Sequence, residues 1–153
     1  EELPFEDGSF DFVWSWGVIH HSANTDVIVD QIHRVLKDDG KAFFMVYHKN
    51  STRYYLHGLY QGIFKLKFLK HRSLYAVNMT FTDGYSARHY TQRSGKVLFK
   101  KFSKVETSVT DCGVPTVVIG WGRLTRLFPS ILEPINKWIN NRFGWFLILN
   151  VDK

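Results

Sequence analysis

Residues 10–47 read FDFVWSWGVIHHSANTDVIVDQIHRVLKDDGKAFFMVY, and their hydrophobic pattern predicts three consecutive elements of one α/β unit. Residues 10–16 are mostly apolar and aromatic, which is typical of a strand covered on both faces. Residues 41–47 form a second apolar run of the same kind. Between the two runs, apolar residues recur at helical spacing, at Ile28, Ile32, Val35 and Leu36. Because the links are short, the pattern indicates two parallel strands joined by a helix in a right-handed crossover.

The predicted helix has recognisable ends. Asn24 or Thr25 can cap its first turn. Lys37 suits the negative C-terminal end of a helix, and Gly40 supplies a stop. We therefore expect the helix to extend past Leu36 and the second strand to begin at Lys41.

The rest of the chain predicts helices followed by strands that close a sheet. These elements are, in order, a helical region over residues 52–71, a loop over 83–86, a shorter helix from about 91 to 101, a half-exposed edge strand over 105–109, a helix around 134–142 and an apolar strand over 145–151.

The composition is that of a folded protein. A chain of 153 residues that is 44% hydrophobic can bury a core, which excludes a disordered segment. One cysteine, Cys112, allows no internal disulfide, and the sequence holds no apolar run long enough to cross a bilayer. We expect one globular domain, or a large piece of one, in the cytoplasm. The chain starts at Glu1 with a turn motif directly behind it, and we expect this to be a cut end.

The charge is distributed unevenly along the chain. Residues 1–30 hold seven acids and no Lys or Arg, whereas the remainder holds 20 bases and 7 acids, although the net charge of the whole is only +6. Such a basic region attracts nucleic acid, anionic lipid or an anionic substrate, and charge alone does not choose among them.

Three motifs carry a family resemblance. They are LPFEDGSFD at residues 3–11, GVIHH at 17–21 and RVLKDDG at 34–40. In this order they resemble the second half of the class I S-adenosylmethionine-dependent methyltransferases, in particular the methyltransferase type 11 enzymes related to ubiquinone and menaquinone biosynthesis. The resemblance is strong to about residue 51. Residues 47–51 and 144–146 are similar to a subgroup of uncharacterised members.

The resemblance implies the C-terminal half of a Rossmann-like α/β sheet, with two parallel strands, a closing antiparallel strand pair and a helical cap. We expect residues 1–51 to be the C-terminal part of the Rossmann-like core and residues 52–101 the cap over the acceptor. Residues 102–153 would then supply the closing strands and their connecting helix.

The resemblance also implies S-adenosylmethionine as the cofactor, bound at the C-terminal ends of the parallel strands. Glu2, Leu3 and Pro4 would lie beside the adenine. Trp16, Gly17 and Val18 would pass the methionine end, with Gly17 allowing close backbone approach. The glycine-rich turn and the ribose-binding acid of the family are missing from this chain. We therefore expect the chain alone to bind the cofactor poorly and to be inactive.

Methyl transfer requires alignment of the acceptor, and a base helps when the acceptor must lose a proton. His21, His20 and His48 are the candidate bases, since they fall at or just beyond strand ends. The alternative is that His20 and His21 bond local backbone groups. Neighbouring side chains diverge and no third ligand has suitable spacing, so we expect no metal site.

Aromatic and basic residues are the candidates for the acceptor side, namely Tyr47, Arg88 and Tyr90. Tyr47 and Trp16 can also stabilise the positive sulfur of the donor through their aromatic faces. The alternative for the tryptophans is burial in the core, which we expect for Trp14.

The segment Arg53 to Arg72 contains three lysines and no acid. It predicts an amphipathic surface that meets a lipid-like acceptor at a membrane interface, or a helix that covers the acceptor pocket with its lysines turned to water. Arg88, Tyr90 and Arg93 also suggest nucleic-acid binding. This hypothesis has less support, because no recognised binding module contains these residues.

Two functions therefore remain open. The first is methyl transfer from S-adenosylmethionine to a small or lipid-like acceptor, with peripheral membrane contact. The second is a non-catalytic module that docks an anionic membrane or RNA through its basic helical region. The oligomeric state is left open by the sequence.

Overall fold

A computed structural model describes residues 2–80, 87–111 and 127–153 of the chain. The strands are β1 (Phe10–Trp16), β2 (Leu36–His48), β3 (His89–Tyr90), β4 (Lys104–Thr110) and β5 (Phe146–Asp152). The helices are α1 (Thr25–Val35), α2 (Gly58–Ile63), α3 (Leu74–Met79), α4 (Gln92–Leu98) and α5 (Pro129–Phe143). Short turns of 3-10 helix cover Ile19–His21 and Lys67–Leu69, and a π-helical turn covers Arg53–His57. The predicted loop at residues 83–86, and Cys112, lie outside the described residues.

The strands form one sheet in the order β1-β2-β5-β4, and β3 pairs with β2. β1 and β2 are parallel and joined by α1, which confirms the predicted strand-helix-strand unit. The next pair is antiparallel, since Lys153 N donates to Gly40 O (2.9 Å) near one end and His48 N donates to Trp145 O (2.8 Å) at the other. The sheet thus combines parallel and antiparallel strands, as expected for the C-terminal half of a Rossmann-like methyltransferase sheet.

The described chain divides into two compact units. Among the described residues, the first consists of 2–47, 87–108 and 147–153, and the second of 48–80, 109–111 and 127–146. This division groups α4 with the sheet, whereas the sequence analysis placed residues 52–101 in one helical cap. The functional division of the chain stays a prediction.

The core of the first unit lies where helices cover the middle of the sheet. Phe44 and Phe99 are fully buried with ring centroids 4.5 Å apart, and Leu147 and Leu149 are fully buried beside them on β5. α4 approaches β5 closely, because a Cβ on Gly95 would lie 3.0 Å from Leu149. α1 buries Thr25, Val29, Ile32 and Val35, so Val29 rather than the predicted Ile28 completes its apolar stripe.

The predicted end of α1 is wrong by several residues. The helix ends at Val35, and Leu36 already has extended backbone angles (φ −73°, ψ 143°). Lys37 and Gly40 therefore belong to β2, where residues 37–40 leave the register between the pairs Phe10–Leu36 and Phe12–Lys41. Lys37 bonds Asp11 across this irregularity at 2.7 Å. Because this ion pair and the burial of Leu36 hold the chain against β1, β2 begins at Leu36, earlier than the sequence predicts.

β1 is not covered on both faces, contrary to the prediction. Phe12, Trp14 and Trp16 expose 54%, 59% and 43% of their surface, so Trp14 is not a core residue. β1 stands at the end of the strand order, and the exposures show that no described helix covers this face of it. Trp14 instead stacks on Phe43 with ring centroids 4.4 Å apart.

The predicted helix over residues 52–71 is divided. Its π-helical turn and α2 end at Ile63, and Leu66 then takes a left-handed conformation (φ 53°) that stops the helix. The predicted helix at 91–101 is confirmed as α4, and the predicted edge strand is confirmed as β4. The helix expected at 134–142 is longer, since α5 begins at Pro129 and contains Pro134.

Candidate functional site

The site forms where β1 and β2 both end, because parallel strands bring their carboxyl ends to the same edge of the sheet. Gly17 follows β1 directly and has a left-handed backbone (φ 73°), a conformation that favours glycine. Its N–H donates to Met45 O at 3.1 Å and ties the turn to β2. The next residues, Ile19–His21, form a 3-10 turn that leads into α1.

An imidazole–phenol cluster, defined here as His20, His21, His89 and Tyr47, lies at this edge. The Tyr47 ring centroid lies 4.2 Å from His20, 6.0 Å from His21 and 5.6 Å from His89. The two adjacent histidines, whose side chains were expected to diverge, lie with ring centroids 4.2 Å apart. The structure thus brings together two predicted catalytic residues and one predicted acceptor residue.

His89 was not predicted, although its neighbours Arg88 and Tyr90 were. It is separated from His21 by almost seventy residues, and nothing in that interval signals that the two approach each other. The signal that could have located His89 is its position between two predicted acceptor residues.

Burial gives His20 a different character from His21. His20 is fully buried, and desolvation, helped by the positive charges that His21 and His89 can carry, lowers its pKa to about 3. The backbone of Met45 opposes this shift slightly, yet neither ring nitrogen has a hydrogen bond of standard geometry among the described residues. His20 is therefore neutral at physiological pH and closed to solvent, whereas His21 is half-buried. These surroundings favour His21 over His20 as a base.

Arg88 holds the loop after β1 against the segment that carries His89. Its guanidinium donates to Thr25 Oγ1 (2.9 Å) and Ala23 O (2.6 Å), and its backbone N–H donates to His20 O (2.9 Å). The Thr25 hydroxyl in turn donates to Ile19 O at 3.3 Å. Arg88 and Tyr90 also line a groove of about 560 Å³ with Asp30 and Lys101. The structure brings these two predicted acceptor residues together.

The predicted cofactor residues lie at two ends of β1. Leu3 O accepts from the Arg34 guanidinium at 3.0 Å, and Gly8 N donates to Arg34 O at 3.1 Å, so Glu2, Leu3 and Pro4 stand near the beginning of β1. Trp16, Gly17 and Val18 stand at its end, where Trp16 and Val18 are 43% and 64% exposed. Arg34 also links two of the quoted motifs, because it pairs with Asp7 at 2.6 Å.

His48 lies at the end of β2 and belongs to the second unit. It is 3% exposed, and its Nδ1 donates to Gly144 O at 3.1 Å. Burial lowers its pKa, and that hydrogen bond opposes the shift. The bond to Gly144 engages one ring nitrogen in holding the backbone, and only Nε2 remains for other chemistry.

Two kinds of feature are absent from the part of the chain that the structure describes. No group of three or more His, Cys, Asp or Glu side chains there has the geometry of a metal site. None of the described helices combines the length and the apolarity that a bilayer-spanning segment needs.

Comparison with known proteins relates the first part of the chain to methyltransferases. Residues 1–44, from the first turn through most of β2, match the family described as "Methyltransferase domain". A stretch of 44 residues is 46% identical to the sarcosine/dimethylglycine N-methyltransferase of Aphanothece halophytica, covering 29% of this chain and 16% of that protein. A 44-residue stretch is 39% identical to the glycine/sarcosine/dimethylglycine N-methyltransferase of Actinopolyspora halophila, covering 29% of this chain and 8% of that protein.

Solved structures share the fold over nearly the whole chain. An S-adenosylmethionine-dependent methyltransferase of Thermotoga maritima, described as a possible histamine N-methyltransferase, aligns with a TM-score of 0.58 at 18% identity, covering 99% of this chain and 60% of that one. A phosphoethanolamine N-methyltransferase of Haemonchus contortus aligns with a TM-score of 0.54 at 18% identity, covering 97% of this chain and 35% of that one. The comparisons thus confirm the resemblance of residues 1–44 to a methyltransferase domain and the methyltransferase-like fold of the chain. The chain spans only part of the length of these relatives.

Proposed function

We propose that the protein transfers a methyl group from S-adenosylmethionine to a small-molecule or lipid-like acceptor. The observation that carries the proposal is the methyltransferase-domain match of residues 1–44, which includes the glycine turn and both histidines that follow β1. The chain spans a fraction of its relatives, so the proposal concerns the protein of which these residues are a part. A cytoplasmic location belongs to the proposal and rests on the presence of a single cysteine.

The donor supplies a methyl group activated by a positively charged sulfur. Gly17 suits its methionine end, because its left-handed turn leaves the backbone without a side chain and open to close approach. The exposed ring of Trp16 offers an aromatic face to the positive sulfur. For the adenine side we propose Glu2, Leu3 and Pro4 from the resemblance alone, since they stand near the beginning of β1 and not at the end that carries Gly17.

Tyr47, Arg88 and Tyr90 would align the acceptor. His21 would take a proton from the acceptor nucleophile as the new bond to the methyl carbon forms and the carbon–sulfur bond breaks. The electron pair of that broken bond stays on sulfur, which becomes neutral. His20 would hold the loop after β1 in place, and His48 would hold the backbone at Gly144, since both are buried.

More specifically, we propose that the acceptor group is an amine. The two relatives that match over 44 residues are N-methyltransferases. An amine that is protonated near neutral pH must give up a proton to free its lone pair for attack. A histidine base suits that step near neutral pH. Peripheral membrane contact by the second unit would give access to a lipid-like amine.

The test is His21→Ala in the full gene product, assayed by transfer of labelled methyl groups to sarcosine, dimethylglycine, phosphoethanolamine and histamine. We expect turnover to fall about tenfold or more, because a positioned base contributes at least that much. Donor affinity should stay unchanged.

His71→Ala is the matched control, since it removes a partly exposed histidine of the second unit. Turnover that is unchanged at every pH in His21→Ala would exclude the base role. A gene product that transfers no methyl group to any amine, hydroxyl or carbon acceptor would exclude the function itself.

A further inference from the structure

The second unit carries many large apolar side chains on its surface. Among residues 53–75, nine of them expose about two-fifths or more of their area, namely Tyr55, Leu56, Leu59, Tyr60, Ile63, Phe64, Leu66, Leu69 and Tyr75. The exposed fraction is highest at Phe64 (74%) and Leu69 (83%). Large apolar side chains that are exposed in such number within one segment mark a site of interaction with a protein, a ligand or a membrane.

The most exposed part is a turn, called here the apolar turn and defined as Ile63 to Lys70. Its backbone is ordered by hydrogen bonds from Leu66 N to Ile63 O (3.2 Å) and from Leu69 N to Leu66 O (3.1 Å). Phe68 packs so tightly on Gly62 that a Cβ at Gly62 would collide with the ring.

Leu66 sits at the centre of the apolar turn in a left-handed conformation that leucine disfavours, and it is the only non-glycine residue with a positive φ among the described residues. Phe68 and the left-handed Leu66 together leave Phe64, Leu66 and Leu69 directed outward. Strained backbone that is kept in place in this way is commonly found where a segment has a function.

Basic side chains flank the same turn. Residues 48–80 contain six Lys and Arg residues and neither Asp nor Glu. Lys65 and Lys70 belong to the apolar turn and are exposed, while Lys67 reaches back to donate to Thr80 Oγ1 at 2.8 Å. Exposed apolar side chains suit the acyl chains of a bilayer, and neighbouring lysines without acids suit negatively charged lipid headgroups.

We infer that the apolar turn binds the interface of an anionic phospholipid bilayer. Phe64, Leu66 and Leu69 enter the boundary between headgroups and acyl chains, and Lys65 and Lys70 contact lipid phosphates. Three of the five apolar side chains in the turn are aliphatic, which favours acyl chains over nucleic-acid bases as the partner. This inference gives the peripheral membrane contact of the proposed function a definite surface, and it rests on no part of the methyl-transfer chemistry.

The test measures co-sedimentation of the 153-residue chain with vesicles of phosphatidylcholine alone or mixed with phosphatidylserine. We expect binding to the mixed vesicles that weakens as salt is added. Phe64→Ser and Leu69→Ser should each weaken it about tenfold, because an apolar side chain no longer leaves water. Lys65→Ala and Lys70→Ala should each weaken it roughly fivefold.

Val97→Ser and Lys100→Ala are the matched controls. Both side chains lie on the surface of the first unit, and Val97 is 61% exposed, so each control makes the same chemical change away from the apolar turn. Binding by the controls should equal that of the wild type. Circular dichroism of every variant checks that the fold is kept.

A second measurement reports on the turn directly. Leu69→Cys in a Cys112→Ser background, labelled with an environment-sensitive dye, should shift its emission to the blue on mixed vesicles only. The inference is overturned if mixed vesicles do not bind the chain, or if the Phe64→Ser and Leu69→Ser variants bind like the wild type. It is also overturned if those substitutions instead dissociate a dimer, since a second copy would then cover the turn. No methyl donor is present, so either result leaves the methyl-transfer proposal to its own test.

Discussion

At the residue scale, two adjacent histidines differ because only one is removed from water. His20 is fully buried against Tyr47, whereas His21 is half-buried at the same edge of the sheet. An imidazole with a pKa of about 3 is too weak a base to take a proton from an amine at neutral pH. The proposal therefore assigns base chemistry to His21 and packing to His20.

The buried imidazole of His20 makes the folded state sensitive to acid. Its pKa is about 3 when folded and about 6.5 when unfolded, so only the unfolded state binds the proton between these values. The contribution of neutral His20 to the free energy of unfolding is therefore fully present above about pH 6.5. It falls as pH is lowered towards 3, with a slope approaching about 1.4 kcal/mol per pH unit. His20→Leu, of similar volume, should flatten that dependence, measured by urea unfolding at several pH values.

Burial also lowers the pKa of His33, His48 and His57, so these residues add to the dependence of stability on pH. The difference between the wild type and His20→Leu isolates the part due to His20. His71→Leu, which changes a histidine with more solvent contact, is the control and should keep the wild-type dependence. Parallel curves for His20→Leu and the wild type would show that His20 takes up its proton as readily in the folded state.

At the scale of elements, α4 is defined by its cap rather than by a strong apolar pattern. Thr91 Oγ1 accepts from Ser94 N at 3.0 Å, and Ser94 Oγ accepts from Thr91 N at 2.9 Å, which together form a capping box. This cap starts a helix that packs against Leu147 and Leu149 at Gly95. The helix also follows directly on β3, which carries His89.

Thr91→Ala should lower the free energy of unfolding by about 1 kcal/mol, because the first turn of α4 loses its side-chain acceptor. Urea unfolding followed by circular dichroism measures the change. Ser108→Ala, which removes an exposed hydroxyl on β4, should leave stability nearly unchanged. Equal losses in the two variants would mean that the cap contributes nothing specific to α4.

At the scale of the whole molecule, tryptophans of similar sequence context have opposite environments. Trp145 is 4% exposed, with the Arg53 guanidinium carbon 5.0 Å from its ring centroid, whereas Trp14 is 59% exposed on the outer strand of the sheet. Both stand in apolar runs, so local pattern does not separate them. Their places in the fold separate them, because Trp14 lies on the outermost strand β1 whereas Trp145 directly precedes the inner strand β5.

Trp145→Ala should lower the free energy of unfolding by about 3–5 kcal/mol, because it leaves a cavity in a packed region. Trp14→Ala should cost about 1 kcal/mol or less, since it removes mainly a stacking contact with Phe43. Urea unfolding of the two variants gives the comparison. A similar loss in both would indicate that something covers the exposed face of β1 in solution.

The sequence by itself determined the parallel β1-α1-β2 unit, the edge strand β4 and the last strand β5, because period and composition record which faces are apolar. Motifs within residues 3–40 also carry the resemblance to methyltransferases, and they lie inside the stretch 1–44 that matches the methyltransferase domain. The predicted sites at the ends of β1 and β2 follow from the rule that parallel strands end at one edge. These features are local, or follow from one simple topological rule.

Only the tertiary structure decided which apolar residues are covered and which distant residues meet. Leu66 is a good helix former, yet the packing of Phe68 on Gly62 ends the helix there and turns Leu69 outward. His89 joins His20, His21 and Tyr47 because Arg88 bonds the loop after β1. Burial and proximity depend on partners far away in the chain, and a local pattern carries no information about them.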